Sequence, residues 1–238
     1  MKKIFTLIAM AIMAVGANAQ ETYAIPEALT PSANQKIADA TASVALTFGN
    51  DTWNESKKTN LGDFSYYVSA KSNPKGDGNN VAYTEENKTL PDTGGYFILE
   101  PSKTGYITAG VQLNAEKSFY VVDGNGNNMD SSLELKNSEG TVLTLAENNG
   151  KVYSLADKTN LFVKFPVAAG GKYYVFCTGS KLGFFGFSFV EDESAATYIN
   201  ALKVNATQNG EAFNLAGQKV NKNFKGVVIQ NGKKVVIK

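Results

Sequence analysis

From Thr41 onward, short runs of aromatic and β-branched residues alternate with clusters of Gly, Asn and Asp. The clearest runs are Thr41–Phe48, Phe64–Ser69, Gly95–Glu100, Gly105–Leu113, Ser118–Asp123, Ser132–Lys136, Thr141–Leu145, Leu161–Val167, Lys172–Thr178 and Gly183–Val190. Residues of this kind suit a pleated, half-buried surface, and Asp77-Gly78, Asp123-Gly124, Asn149-Gly150 and Gly170-Gly171 supply turns between many of the runs. No alternation of strand and helix appears, so a parallel sheet is not expected. The pattern predicts an all-β fold, an antiparallel jelly-roll-like β-sandwich. In Gly183–Val190, period-two alternation puts Phe185, Phe187 and Phe189 on one face and Phe184, Gly186, Ser188 and Val190 on the other. The bare Gly186 leaves room for another strand or a ligand. The best helical stretch, Ala28–Ala40, contains Pro31, so any helix there is short.

The two ends read differently. Lys2 and Lys3 precede an apolar run, Ile4 to Val15, and Ala17-Asn18-Ala19 follows with small residues at the positions a signal peptidase requires. Residues 1–19 are expected to be a cleavable signal peptide, cut before Gln20. The run is shorter than the roughly 20 residues a membrane span needs, and no later segment approaches one. No Cys stands at the new N-terminus to carry a lipid. The sandwich is expected over 20–197. A small C-terminal β-hairpin unit follows over 198–238, where Asn231-Gly232 is a type I′ turn signal.

Charge separates the same two regions. Residues 199–238 hold seven Lys and one acid, Glu211, whereas residues 20–198 hold 14 Lys and 21 acids. The tail is therefore a distinct basic unit, suited to solvent, to an acidic surface or to export machinery.

Composition narrows the chemistry. The chain has no His, and its 23 basic residues are all Lys. Ser-His-Asp and Cys-His pairs are excluded, and an ordinary catalytic zinc site loses its usual ligand. Without Arg there is no bidentate fork for phosphate or guanine, so no nucleic-acid partner is expected. The single Cys, Cys177, lies in the strand-like run Tyr173-Tyr174-Val175-Phe176-Cys177 and reads as a buried, inert thiol.

Two resemblances add to this. Ala212-Phe213-Asn214-Leu215-Ala216-Gly217-Gln218-Lys219-Val220, with Lys225-Gly226-Val227-Val228-Ile229-Gln230-Asn231-Gly232-Lys233-Lys234-Val235-Val236-Ile237-Lys238, resembles the C-terminal tail of many secreted Bacteroidetes proteins, the sorting domain of the type IX secretion system. That resemblance implies export to the cell surface or beyond, with the periplasm as the alternative. In the body, Gly95–Gly105, Gly171–Phe176 and Gly179–Phe187 are similar to β-sandwich modules of Bacteroidetes exported proteins, some beside pectate-lyase-type enzymes. This implies a carbohydrate-binding-like fold and names no sugar.

Within the body, Trp53, Tyr66, Tyr67, Tyr83, Tyr96 and Tyr106 are candidates for stacking on sugar rings, with burial in the core as the alternative. Trp53 leads because Asn50-Asp51-Thr52-Trp53-Asn54-Glu55 is polar and loop-like. Asp123, Asn125, Asn127 and Glu134 match positions one, three, five and twelve of an EF-hand-like calcium loop that also contains Asp130. Asn128 stands where Gly is expected, and a plain hairpin loop is the alternative. Three functions remain: non-catalytic binding or handling of glycan, structural or adhesive binding of a surface protein, and carboxylate-based cleavage of polysaccharide. No catalytic constellation supports the third.

Overall fold

The computed structural model describes residues 19–196 and the tail segments 212–214, 219–220, 226–230 and 233–237. The signal-peptide run, the 197/198 boundary and the Asn231-Gly232 turn lie outside the described residues.

In chain order the strands are β1 (Glu21–Ala24), β2 (Lys36–Ile37), β3 (Val44–Phe48), β4 (Lys57–Leu61), β5 (Phe64–Ser69), β6 (Tyr96–Pro101), β7 (Gly105–Leu113), β8 (Ser118–Asp123), β9 (Glu134–Asn137) and β10 (Val142–Leu143). There follow β11 (Ala146–Asn148), β12 (Lys151–Ser154), β13 (Thr159–Val167), β14 (Tyr173–Thr178) and β15 (Gly183–Glu191). The tail holds β16 (Ala212–Asn214), β17 (Lys219–Val220), β18 (Gly226–Gln230) and β19 (Lys233–Ile237). No helix among the described residues is long and apolar enough to cross a membrane.

The fold is all-β and every pairing is antiparallel. An eight-stranded sheet runs β10-β9-β13-β7-β15-β5-β4, with β1 added on β15. A five-stranded sheet runs β2-β3-β6-β14-β8. The chain changes sheet on passing from β6 to β7 and β8, and again from β13 to β14 and β15. The late strands β14 and β15 insert between earlier ones. The tail forms its own four-stranded sheet, β17-β16-β18-β19. There Gln230 pairs with Lys233, the separation that a two-residue turn requires.

Alternation puts one face of each sheet into a shared core. Val44, Leu46, Phe48, Phe97, Leu99, Phe119, Val121 and Val175 meet Ile107, Val111, Leu161, Val163, Phe165 and Phe187. Phe97 and Phe184 stack across the gap with centroids 4.3 Å apart at 21°. Each such ring contributes about 1.5–3 kcal/mol by burial. Cys177 is in the same core, where burial pushes its thiol up to about 12, the inert state that its strand setting predicts.

Two local expectations change. Ala28–Ala40 forms no helix; Ala28 and Asn34 take positive φ, and β2 occupies the end of the segment. In β15 the simple alternation fails. The register shifts between Phe184 and Gly186, so Phe184, Phe187 and Phe189 join the core while Phe185 turns outward to Leu61 and Phe64. A bulge inserts one unpaired residue and reverses the facing of what precedes it. Gly186 makes this possible with φ +131°, and β1 fills the space beside it: a Cβ there would overlap the carbonyl oxygen of Tyr23.

Candidate functional site

The outward residues of the five-stranded sheet fall into rows set by register. Thr47, Ile98, Tyr174 and Val122 stand opposite one another in one row, and Tyr96, Phe176 and Tyr120 in the next. On β14 this follows from period two: Tyr173, Val175 and Cys177 point into the core, so Tyr174 and Phe176 point out.

The second row is buried, because the segment between β5 and β6 lays Tyr83 across it. The Tyr83 ring meets Tyr120 at 4.8 Å and Phe176 at 5.4 Å, both edge-on. Its hydroxyl donates to the carbonyl of Gly126 at 2.9 Å. At the margin, Tyr153 packs on Tyr120 and donates its hydroxyl to Glu85 at 2.9 Å.

The first row stays partly open. Thr47, Ile98 and Tyr174 are half-buried. The Tyr174 ring rests on Tyr96, centroids 6.0 Å apart at 30°. Glu100, two residues beyond Ile98 on the same face of β6, accepts a 2.7 Å hydrogen bond from Lys36 and lies 3.6 Å from the ammonium of Lys172. Lys36 is aligned with this face by pairing opposite Thr47, and Lys172 immediately precedes β14. The side chains are 27%, 52% and 48% exposed for Glu100, Lys36 and Lys172.

The Lys36 hydrogen bond holds the Glu100 carboxyl below the usual carboxylate range, against a smaller opposing effect of burial and with help from Lys172. Burial, and then the Glu100 charge, push the Tyr174 hydroxyl up. At neutral pH the site therefore offers a half-buried ring, a protonated phenol, an ionised carboxylate and two ammonium groups. Such a set can stack on a sugar and exchange hydrogen bonds with its hydroxyls. It is poor acid–base machinery: a glycosidase acid needs a raised carboxyl pKa. Among the described residues Glu100, Glu134 and Asp192 are all displaced downward.

The six aromatic residues singled out by sequence scatter. Trp53 is 2% exposed and belongs to the core, with its ring against Phe48 and Phe97 and its indole N–H on the carbonyl of Gly49 at 3.2 Å. It offers no stacking face. Its polar neighbours mislead because they satisfy backbone: Asp51 accepts from the N–H of Thr52 and Ser72, and Asn54 donates to the carbonyl of Ser69. Tyr83 and Tyr96 are buried beside the site, not on its surface. Tyr66 packs at the margin of the core with its hydroxyl on Glu27. Tyr67 lies against Phe185 and Tyr106 under the ammonium of Lys164, both on β-strands of the other sheet. Only Tyr96 touches Tyr174, which sequence reasoning passed over; its signal was the alternation of Tyr173–Cys177, which names an outward ring once Cys177 is placed inside.

At the candidate calcium loop, several side-chain oxygens are already engaged. Asp123 accepts hydrogen bonds from the backbone of Asn125 and Asn127 and from the Asn127 amide. Asn127 also accepts from Lys88, and Glu134 pairs with Lys136. The oxygens of Asp123, Asn127 and Glu134 are thus held by backbone, amide and ammonium donors. No group of three or more acidic or Cys side chains suited to a metal occurs among the described residues, Asp130 included.

No protein-family model matches the chain, and no curated protein matches it.

Proposed function

We propose that the protein is an exported, non-catalytic glycan-binding or glycan-handling accessory protein. The Tyr174 face of the five-stranded sheet is the binding site. The signal-like N-terminus and the basic, sorting-domain-like tail support export to the surface or beyond. One observation carries the binding reading: a half-buried tyrosine, backed by a second ring, stands beside an ionised carboxylate flanked by two lysines. A pyranose presents C–H groups to such a ring and hydroxyls to such charges. The test is a glycan array followed by titration of the best ligand. Tyr174→Ala is expected to abolish binding while leaving the melting temperature close to that of the parent chain. Binding unchanged in Tyr174→Ala, or no glycan bound by the parent, overturns the reading.

A protein partner is the second reading. It is favoured by Val142, 65% exposed on β10, beside an open cleft of about 310 Å³ between Leu133, Leu143, Leu145 and Tyr153. Pull-down of one protein, lost in Val142→Lys and kept in Tyr174→Ala, would establish it.

A further inference from the structure

The class of glycan follows from the charge beside Tyr174; this step rests on the glycan-binding reading of that face. Two ammonium groups carry three N–H donors each, and one carboxylate stands between them. Lys36 spends a donor on one Glu100 oxygen at 2.7 Å. Lys172, at 3.6 Å from the other oxygen, is past close hydrogen-bonding distance and half exposed. The hydroxyls of Tyr174 and Thr47 add two more groups able to donate. The cluster has a net charge of +1. It is a cationic spot on a body with 14 Lys and 21 acids over residues 20–198. The distant negative charge is screened beyond about 8 Å at physiological salt, so the adjacent lysines dominate at contact.

We propose that the ligand is an anionic glycan. Its pyranose ring lies on Tyr174, and a carboxylate or sulfate on that ring takes charge-assisted hydrogen bonds from the ammonium donors of Lys36 and Lys172 that Glu100 leaves over. Glu100 spaces the two ammonium groups and accepts from a ring hydroxyl.

Calorimetric titration of the purified full chain tests this, with a polyuronate, a sulfated polysaccharide and a neutral glucan of matched length. At least one anionic polymer should bind about tenfold or more tighter than the glucan, and raising the salt should weaken that binding. Lys36→Gln/Lys172→Gln should lower that affinity about tenfold or more, and Glu100→Gln should raise it by removing the competing carboxylate. Melting temperatures show whether each variant remains folded. Which anionic polymer binds identifies the anion. Equal or tighter binding of the neutral glucan, or no change in the double lysine variant, overturns the anionic assignment and leaves glycan binding standing. Failure of all three polymers, together with an empty array, overturns both.

Discussion

The two sheets send the same kind of residue inward, and their outward faces differ in extent: the eight-stranded sheet keeps one apolar outward cluster, Leu61, Phe64, Phe162 and Phe185, beside a polar row. On the five-stranded sheet the outward face carries Tyr96, Ile98, Tyr120, Val122, Tyr174 and Phe176, with Thr47 and Glu100 at its open side. Water is a poor neighbour for so much apolar surface, and the segment carrying Tyr83 and Leu90 packs over much of it. On the eight-stranded sheet, register aligns Thr22, Ser188, Thr108, Lys164 and Glu134 into a polar row across five strands. That row needs no cover. Tyr174 matters because it lies where the two behaviours meet: its ring belongs to the aromatic cluster, yet it is left half open beside Glu100, Lys36 and Lys172.

The contrast between buried and open aromatic residues gives the largest expected effect. Trp53→Ala removes a ring packed on Phe48 and Phe97 and should cost about 3–5 kcal/mol in denaturant unfolding. Its folded fraction should bind glycan normally; a loss of less than 1 kcal/mol would return Trp53 to the list of surface candidates. Gly186→Ala probes the bulge that reverses Phe185. With φ +131° and the Tyr23 carbonyl in the way, it should cost roughly 1–3 kcal/mol and loosen β1. Amide hydrogen exchange on β1 no faster than in the parent would count against that account.

Smaller effects sharpen the covered face. Tyr83→Phe keeps the ring and removes the hydroxyl that bonds Gly126, so about 1 kcal/mol should be lost, with glycan affinity unchanged. The smallest effect is electrostatic. Glu100 titrates lower in the folded protein than its ordinary value of 4.5, so it stabilises the fold above that pH, and this contribution is lost as pH falls through the lowered value. The difference in melting temperature between the parent and Glu100→Gln should therefore shrink on acidification below pH 4.5. Part exposure and solvent screening keep it small. A difference that grows toward acid would contradict the Lys36–Glu100 pairing.

Much of the sheet structure was legible in sequence because strand formation rests on local alternation. Phe64–Ser69, Gly105–Leu113 and Ser118–Asp123 match β5, β7 and β8 residue for residue. The strands missed, β1, β2, β4, β11 and β12, are short and mostly polar, and they owe their extension to a partner strand. Asn149-Gly150 was read correctly as a turn, and both residues take positive φ between β11 and β12. The candidate site was far less legible. Composition and loop context favoured Trp53, whose isolated bridge to Ala70 places it where its ring turns inward.

By itself the sequence determined an all-β antiparallel fold, a basic tail distinct from an acidic body, an inert Cys177 and the absence of imidazole and guanidinium chemistry. These follow from residue type and short-range periodicity, which need no knowledge of distant neighbours. Only the tertiary structure decided which face of each strand looks outward, where the β15 bulge breaks the alternation, and which of many tyrosines is left open. Those outcomes depend on register between strands far apart in the chain. Register brings Lys36, Glu100 and Lys172 together around Tyr174.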